Sequence, residues 1–198
     1  MNQVGREIYG NPSSLHKLGQ KARSRIEIAR RQVAKAIGAT PSEVVFTGSG
    51  SESNNIILWD VIQRRGKHII ISSVEHDSVY KTAYALRKLG IEITEVGVDN
   101  NGRVEPHNVV TAMKPETSLV AIMTANNETG TVQPIEEIAH LCRGKKVHFH
   151  TDAIQALGKI NVDFQNNSPD TASFSSHKLY GPKGVGALYI KRGIKLHP

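Results

Sequence analysis

Short β-branched runs alternate with helical patterns along nearly the whole chain, and that alternation limits the fold more than any other feature. The runs are EVVFT (43–47), HIIISS (68–73), IEITEVGV (91–98), SLVAIMTA (118–125), KVHFHTD (146–152), TASFS (171–175) and VGALYIK (185–191). Between them lie ESNNIILWDVIQRR (52–65), DSVYKTAYALRKLG (77–90), VEPHNVVTAMK (104–114) and PIEEIAHLCRG (134–144). These read as helices, the second opening on Asp and closing on Gly as a capped helix does. A longer helix, SSLHKLGQKARSRIEIARRQVAKAIG (13–38), precedes the first strand with Ile26, Ala29, Val33 and Ile37 on its apolar face. Strand and helix in turn predict an α/β three-layer sandwich, its mostly parallel seven-stranded sheet covered on both sides. The 198 residues suffice for one domain with a real core.

Charge and cysteine content narrow the surroundings. The formal charge of +7 comes from 25 Lys and Arg against 18 Asp and Glu, but the bases are scattered. Arg23, Arg25, Arg30 and Arg31 lie in one stretch, Arg64, Arg65 and Lys67 in another, and Lys191, Arg192 and Lys195 near the end. With no arginine–aromatic interleaving and no nucleic-acid motif, a solvated surface or an anionic small ligand fits better than nucleic acid. One cysteine, Cys142, allows no internal disulfide and suits a reducing cytoplasm. No apolar stretch approaches the roughly 20 residues of a membrane helix, and the amino end lacks a signal-peptide core.

Ligands of parallel α/β sheets bind outside the carboxyl ends of the strands, so the residues just past each run matter most. TGSGSESNN follows the first, where glycines, Ser51 and an opening helix could cradle a phosphate. A glycine-rich turn with Ser51 as helix cap explains the same residues. VEHDS follows the second and places His76 at the sheet edge, as a ligand contact or a cap. NNETG follows the fourth, supplying Asn126 and Asn127 in a turn before Gly130. The fifth ends in HFHTDAIQ, where His148, His150 and Asp152 share one face at spacing two. That spacing admits a metal site, yet no other strand end adds the His and Asp ligands that a metal-dependent hydrolase needs. Asp152 could instead hold a protonated heterocyclic nitrogen, with Gln155 reaching the same ligand.

The sixth run ends in SFSSHK, ahead of a turn stiffened by Pro182. A lysine at this edge completes a set: a phosphate cradle, a histidine, an asparagine, a carboxylate with a nearby amide, and an amine. Pyridoxal 5′-phosphate asks for these groups, the lysine forming the Schiff base and the acid partnering the pyridinium nitrogen. Partial burial and neighbouring positive charge would help Lys178 lose its proton.

GNPSSLH (10–16), FTGSGSESNN, SSVEHDS, NNETG, HTDAIQALGKI and SSHKLYGPKGVGALYI resemble the blocks of the cysteine desulfurases, in their order. These belong to the class V aminotransferase group of fold-type I enzymes, with the selenocysteine lyases close beside them. The resemblance implies that Lys178 carries the Schiff base and His76 stacks on the pyridine ring. It also implies that Asp152 pairs with the ring nitrogen, Gln155 with the ring hydroxyl, and that Asn127 lies beside the ring. Gly50, Ser51, Ser175 and His177 would hold the phosphate. Ser51 stands where the family usually has Thr, and Ser176 where Gly or Ala is common; both changes are mild.

The same resemblance implies that residues 1–198 are part of the large cofactor-binding domain. Family members are about twice as long; they begin with a strand and a D-N-x-A-T-T block, whereas Met1 here falls inside the helix before GNPSSLH. They continue into a second domain with a carboxylate-binding arginine and a loop bearing the catalytic cysteine. Cys142, on the apolar side of a helix, reads as a small core residue instead. The implied reaction takes sulfur from L-cysteine, leaving L-alanine and a persulfide. A full-length relative would be a homodimer and would deliver sulfur to an iron–sulfur scaffold or a sulfur carrier. A selenocysteine lyase and an inactive cofactor-binding fragment are the alternatives.

Overall fold

A computed structural model describes residues 2–164 and 169–197. The helices are α1 (Asn2–Glu7), α2 (Lys17–Ala36), α3 (Gly50–Gln63), α4 (Asp77–Arg87), α5 (Pro106–Ala112) and α6 (Ile135–Gly144). The strands are β1 (Val44–Thr47), β2 (His68–Ser72), β3 (Glu92–Val96), β4 (Thr117–Ala121), β5 (His148–Asp152), β6 (Thr171–Ser175) and β7 (Gly186–Ile190). All seven expected strands form, in one sheet ordered β1-β7-β6-β5-β4-β2-β3. The central pairs are parallel, while β7 runs antiparallel to both β6 and β1. Met1, expected inside the first helix, lies outside the described residues.

Alternate residues of the strands feed opposite faces, which makes three layers. On one face Ile69, Ile71, Leu119 and Leu188 pack beneath α3 and α4, against Ile57, Leu58, Val79 and Leu86. On the other, Ile70, Val120 and Phe149 meet Val109 of α5 and Ile138 and Cys142 of α6. Toward β1 that second face continues as Phe174, Ala187 and Tyr189, closed by Ala34 of α2 and by Ile37. Under α3 the first face changes character: His148, His150 and Asp152 of β5 lie there with Thr171, Ser173 and Ser175 of β6, all buried. A buried polar stripe is costly unless every group finds a partner.

Three local expectations are corrected. The first long helix begins at Lys17, because the His16 ring accepts the Gly19 N–H at 3.2 Å and caps it. Ile37 is buried as expected, but Ile26 is exposed; α2 meets the chain mainly at β1 and the Pro41–Glu43 turn, so Ala22 and Ala34 are covered in its place. The fourth strand pairs only to Ala121, although Ile122 and Thr124 still donate to the carbonyls of His150 and Asp152 at 3.1 and 2.8 Å. That continuation carries residues 123–127 alongside β5 to the sheet edge.

Candidate active site

A cavity of about 370 Å³ opens at the carboxyl ends of the parallel strands. Gly50, Ser51, His76, Asn127, Asp152, Gln155, Ser175, His177 and Lys178 all line it, together with Ser49, Met123, Ala125 and Ile154. A second cleft of about 400 Å³ runs between α6 and residues 160–164, with Pro169 at its edge. Glu136, Glu137 and Asp163 face it with no basic side chain among the described lining residues, so it is unsuited to an anionic ligand.

One end of the cavity is the start of α3. Ser49, not Ser51, is the cap: its Oγ accepts the Glu52 N–H at 3.0 Å, and Glu52 Oε2 accepts the Gly48 N–H at 2.6 Å. The Ser-x-x-Glu spacing of residues 49–52 is the sequence signal for this start. Gly50 and Ser51 thus occupy the first turn, where N–H groups have no intrahelical acceptor and the helix dipole is positive. Position 50 admits no side chain without displacement, since a Cβ there would stand 2.1 Å from Ile154 Cδ1. Opposite, the buried Ser175 Oγ lies 2.8 Å from His177 Nδ1. Hydroxyls, an imidazole and a helix N-terminus together suit a phosphate.

Asp152 is buried at the end of β5. Its Oδ1 accepts the Ile154 N–H at 3.0 Å and its Oδ2 the Asn54 side-chain N–H at 2.8 Å. Burial pushes its carboxyl above the usual carboxylate range, while those two bonds and the nearby His76 pull the other way. A cation arriving in the cavity would offset the burial cost.

His76 caps α4 and faces the cavity at once. Its Nδ1 takes the Ser78 N–H at 3.1 Å and lies 2.8 Å from Ser78 Oγ. Asn127 is exposed at the rim, held by its neighbour: Asn126 Oδ1 accepts the N–H groups of Glu128 and Thr129 at 2.8 and 2.9 Å. Gln155 lines the cavity with its side-chain oxygen taken by Lys159.

Lys178 reaches the cavity from the 3-10 turn Ser176–Leu179 and is exposed, contrary to the expected partial burial. From His177 onward the turn is exposed. Its end is fixed by Tyr180, in the left-handed region at φ 58°.

The histidines of β5 do not assemble a metal centre. No cluster of three or more potential ligands occurs among the described residues. His148 Nε2 and His150 Nδ1 both lie 2.9 Å from Thr171 Oγ1, so the His-x-His spacing serves a hydrogen-bond network. Asn54, which sequence reasoning placed within a helix without a role, joins this network to Asp152. A polar residue on the inward side of a helix packed on a sheet was the available signal.

The whole chain, residues 1–198, matches the family described as aminotransferase class-V. A protein called cysteine desulfurase IscS from Dictyoglomus turgidum is 47% identical over 98% of this chain and 50% of its own length. The mitochondrial cysteine desulfurase of Saccharomyces cerevisiae is 44% identical over 96% of this chain and 40% of its own. A solved NifS-like protein superposes with a TM-score of 0.95 at 40% identity, covering 98% of this chain and 55% of that one. SspA in complex with cysteine gives 0.95 at 38% identity, covering 98% and 58%. The chain spans about half the length of the curated relatives it matches.

Proposed function

The chain belongs to the class-V aminotransferase family, and we propose that the protein it represents is a pyridoxal phosphate-dependent cysteine desulfurase. In this reading residues 1–198 are part of the large cofactor-binding domain. L-cysteine gives up its sulfur to an acceptor thiol, which becomes a persulfide, and L-alanine leaves. One observation carries the proposal: an amine, a buried carboxylate, an imidazole and a helix N-terminus converge on one cavity in a chain 47% identical to a named cysteine desulfurase.

The donor set fits the cofactor. Gly50, Ser51, Ser175 and His177 would hold the phosphate, Asp152 the ring nitrogen, Gln155 the ring hydroxyl and Lys178 the aldehyde carbon. His76 would lie over the ring and Asn127 beside it. When bound, pyridoxal phosphate supplies an electron sink for bond changes at an amino acid's α and β carbons. Asp152, buried at the end of β5, would favour a positive charge on the ring nitrogen, and that charge would in turn offset the cost of burying the carboxylate. Lys178 Nζ, exposed at the rim of the cavity, would also be placed to accept and return protons there.

Cys142 does not enter this scheme. Its side chain is fully buried beneath α6, and burial pushes its thiol up to about 12. In this reading the chain supplies the cofactor half of the reaction and the acceptor thiol lies elsewhere. That burial also favours a second reading, in which the isolated 198 residues bind cofactor without turnover. Selenocysteine as substrate, which asks less of an acceptor thiol, is the alternative for the whole protein. A homodimer in a reducing compartment such as the cytoplasm, passing sulfur to an iron–sulfur scaffold or sulfur carrier, completes the proposal.

The test is uptake of pyridoxal phosphate by the chain, followed by borohydride reduction and peptide mapping. A visible absorption band with the label on Lys178, lost in Lys178→Ala, is expected. Label retained in Lys178→Ala would refute the assignment. If label appears but cysteine gives no alanine, the cofactor-only reading holds for this stretch.

A further inference from the structure

Asn54 is wholly buried in α3 and uses every hydrogen-bonding group of its amide. Its Nδ2 donates to Asp152 Oδ2 and to Ser78 Oγ, each at 2.8 Å. Its Oδ1 stands 3.0 Å from His150 Nε2. An amide oxygen only accepts, so His150 must carry its proton on Nε2. His150 Nδ1 is then an acceptor, and Thr171 Oγ1, 2.9 Å away, donates to it. With its one proton spent, Thr171 Oγ1 accepts from His148 Nε2 at 2.9 Å. His148 Nδ1 in turn accepts from Arg64 Nη1 at 2.8 Å.

Each choice forces the next, and all donors point one way. The chain starts at the guanidinium of Arg64, which is ion-paired with Asp60, and passes through His148, Thr171, His150 and Asn54 to end on Asp152. The second amide proton makes a branch: Ser78 Oγ accepts from Asn54, so its own proton goes to His76 Nδ1 at 2.8 Å. Aligned hydrogen bonds polarise one another, and a buried network with all members satisfied fixes one geometry.

We propose that Asn54, His150 and Thr171 are positioning residues that aim Asp152 and His76 at the cavity from a single branched hydrogen-bond chain anchored on Arg64. The roles given to Asp152 and His76 rest on the reading of the site as a pyridoxal phosphate site; the direction of the chain does not. Burial leaves both histidines neutral, His150 held down to about 3 and His148 well below its ordinary range with the Arg64 charge adding to the effect. Neutral rings are what one-way donation requires, since a protonated ring would donate from both nitrogens.

The decisive measurement is the tautomer of His148 and His150, read by nitrogen-15 NMR on the cofactor-free 198-residue chain. Both are expected neutral with the proton on Nε2. A proton on Nδ1 of either ring reverses the chain and overturns the proposal. Thr171→Val and Thr171→Ser then separate the hydroxyl from the packing. The serine variant should match the wild type in His150 tautomer and in pyridoxal phosphate affinity. The valine variant should lose the single tautomer and bind about tenfold more weakly, the effect of one buried hydrogen bond. Equal behaviour of the two variants, either unchanged or equally weakened, would refute the positioning role. A wild-type chain that takes up no pyridoxal phosphate would defeat the functional reading, and the tautomers would still decide the chain. Should the valine variant not fold, the wild-type tautomers and the serine variant remain sufficient.

Discussion

A Cβ on Gly186 would stand 2.5 Å from the carbonyl carbon of Ser49 and 2.7 Å from its oxygen. β7 therefore passes directly beneath the residue that caps α3, and only glycine allows the approach. Gly186 pairs with Thr47 of β1 and Ser175 of β6, so this contact lets the helix start and the β6 end share one cavity. Gly186→Ala must push the cap outward or distort the sheet. A loss of about 1–3 kcal/mol in urea unfolding is expected, as for overpacked cores. Phosphate affinity at the cavity should fall with it. An unchanged midpoint and unchanged affinity would show that the backbone yields freely here.

Much of this site was legible because the chemistry sits where strands end. Ser175, His177 and Lys178 follow one apolar run, Asp152 and Gln155 close another, and any reader of a parallel α/β sheet looks there first. Ser49 was harder: two serines flank Gly50, and only the spacing to Glu52 tells which one caps. Asn54 could be flagged only as a polar residue on an inward helix face; its partners, His150 and Asp152, lie 96 and 98 residues away and the helix pattern says nothing about them. The antiparallel β7 between β6 and β1 was hidden for the same reason. Strand order is a matter of long-range pairing, to which local periodicity is blind. For His148 and His150 the spacing of two admitted a metal site that the lack of further ligands spoke against, but their actual partner, Thr171 on the neighbouring strand, lay beyond local pattern.

Cys142 is the chain's one cysteine and is wholly buried among Val109, Ile138 and Phe149. A thiol held near 12 by burial offers almost no thiolate at neutral pH. In the folded chain it should resist iodoacetamide and disulfide reagents, reacting at the rate of a model thiol only in urea. Mass spectrometry after incubation with cysteine and cofactor should find no persulfide on it. Rapid native labelling would contradict the packing of α6 against the sheet.

The two buried histidines of β5 predict an acid limb of stability. His150 falls from 6.5 to about 3 in the folded chain because of burial. Between those values the unfolded state holds a proton that the folded state refuses, so stability drops as pH falls from about 6.5 toward 3. The contribution is on the order of a few kcal/mol across that window. His148, lowered by burial and by Arg64, adds in the same direction. Between pH 7 and pH 5 in urea unfolding, the wild type should lose stability relative to His150→Gln, a comparison in which the opposite contribution of Glu75 cancels. Parallel curves in variant and wild type would place the acid limb elsewhere.

Glu75 predicts a limb of opposite sign. As a residue it is half-buried, and its Oε2 is fully buried. Oε1 takes the Ser72 hydroxyl at 2.5 Å and the Met123 N–H at 2.9 Å, while Oε2 has no hydrogen-bond partner among the described residues. Burial, with a smaller push from Asp152, raises the carboxyl from 4.5 to about 8 against those two bonds. Below 4.5 both states hold the proton. From 4.5 to 8 the unfolded state releases it and the folded state keeps it, so stability falls as pH rises through that range. Glu75→Gln keeps an acceptor for Ser72 and Met123 and has no proton to lose. Between pH 6.5 and 8, where the histidine contribution is flat, the wild type should lose stability relative to the variant, by on the order of a few kcal/mol at most. Near pH 5 the two should differ little. A constant difference between them across pH 5–8.5 would mean that Glu75 is ionised in the folded chain, and its buried Oε2 would then have to face an unseen cation.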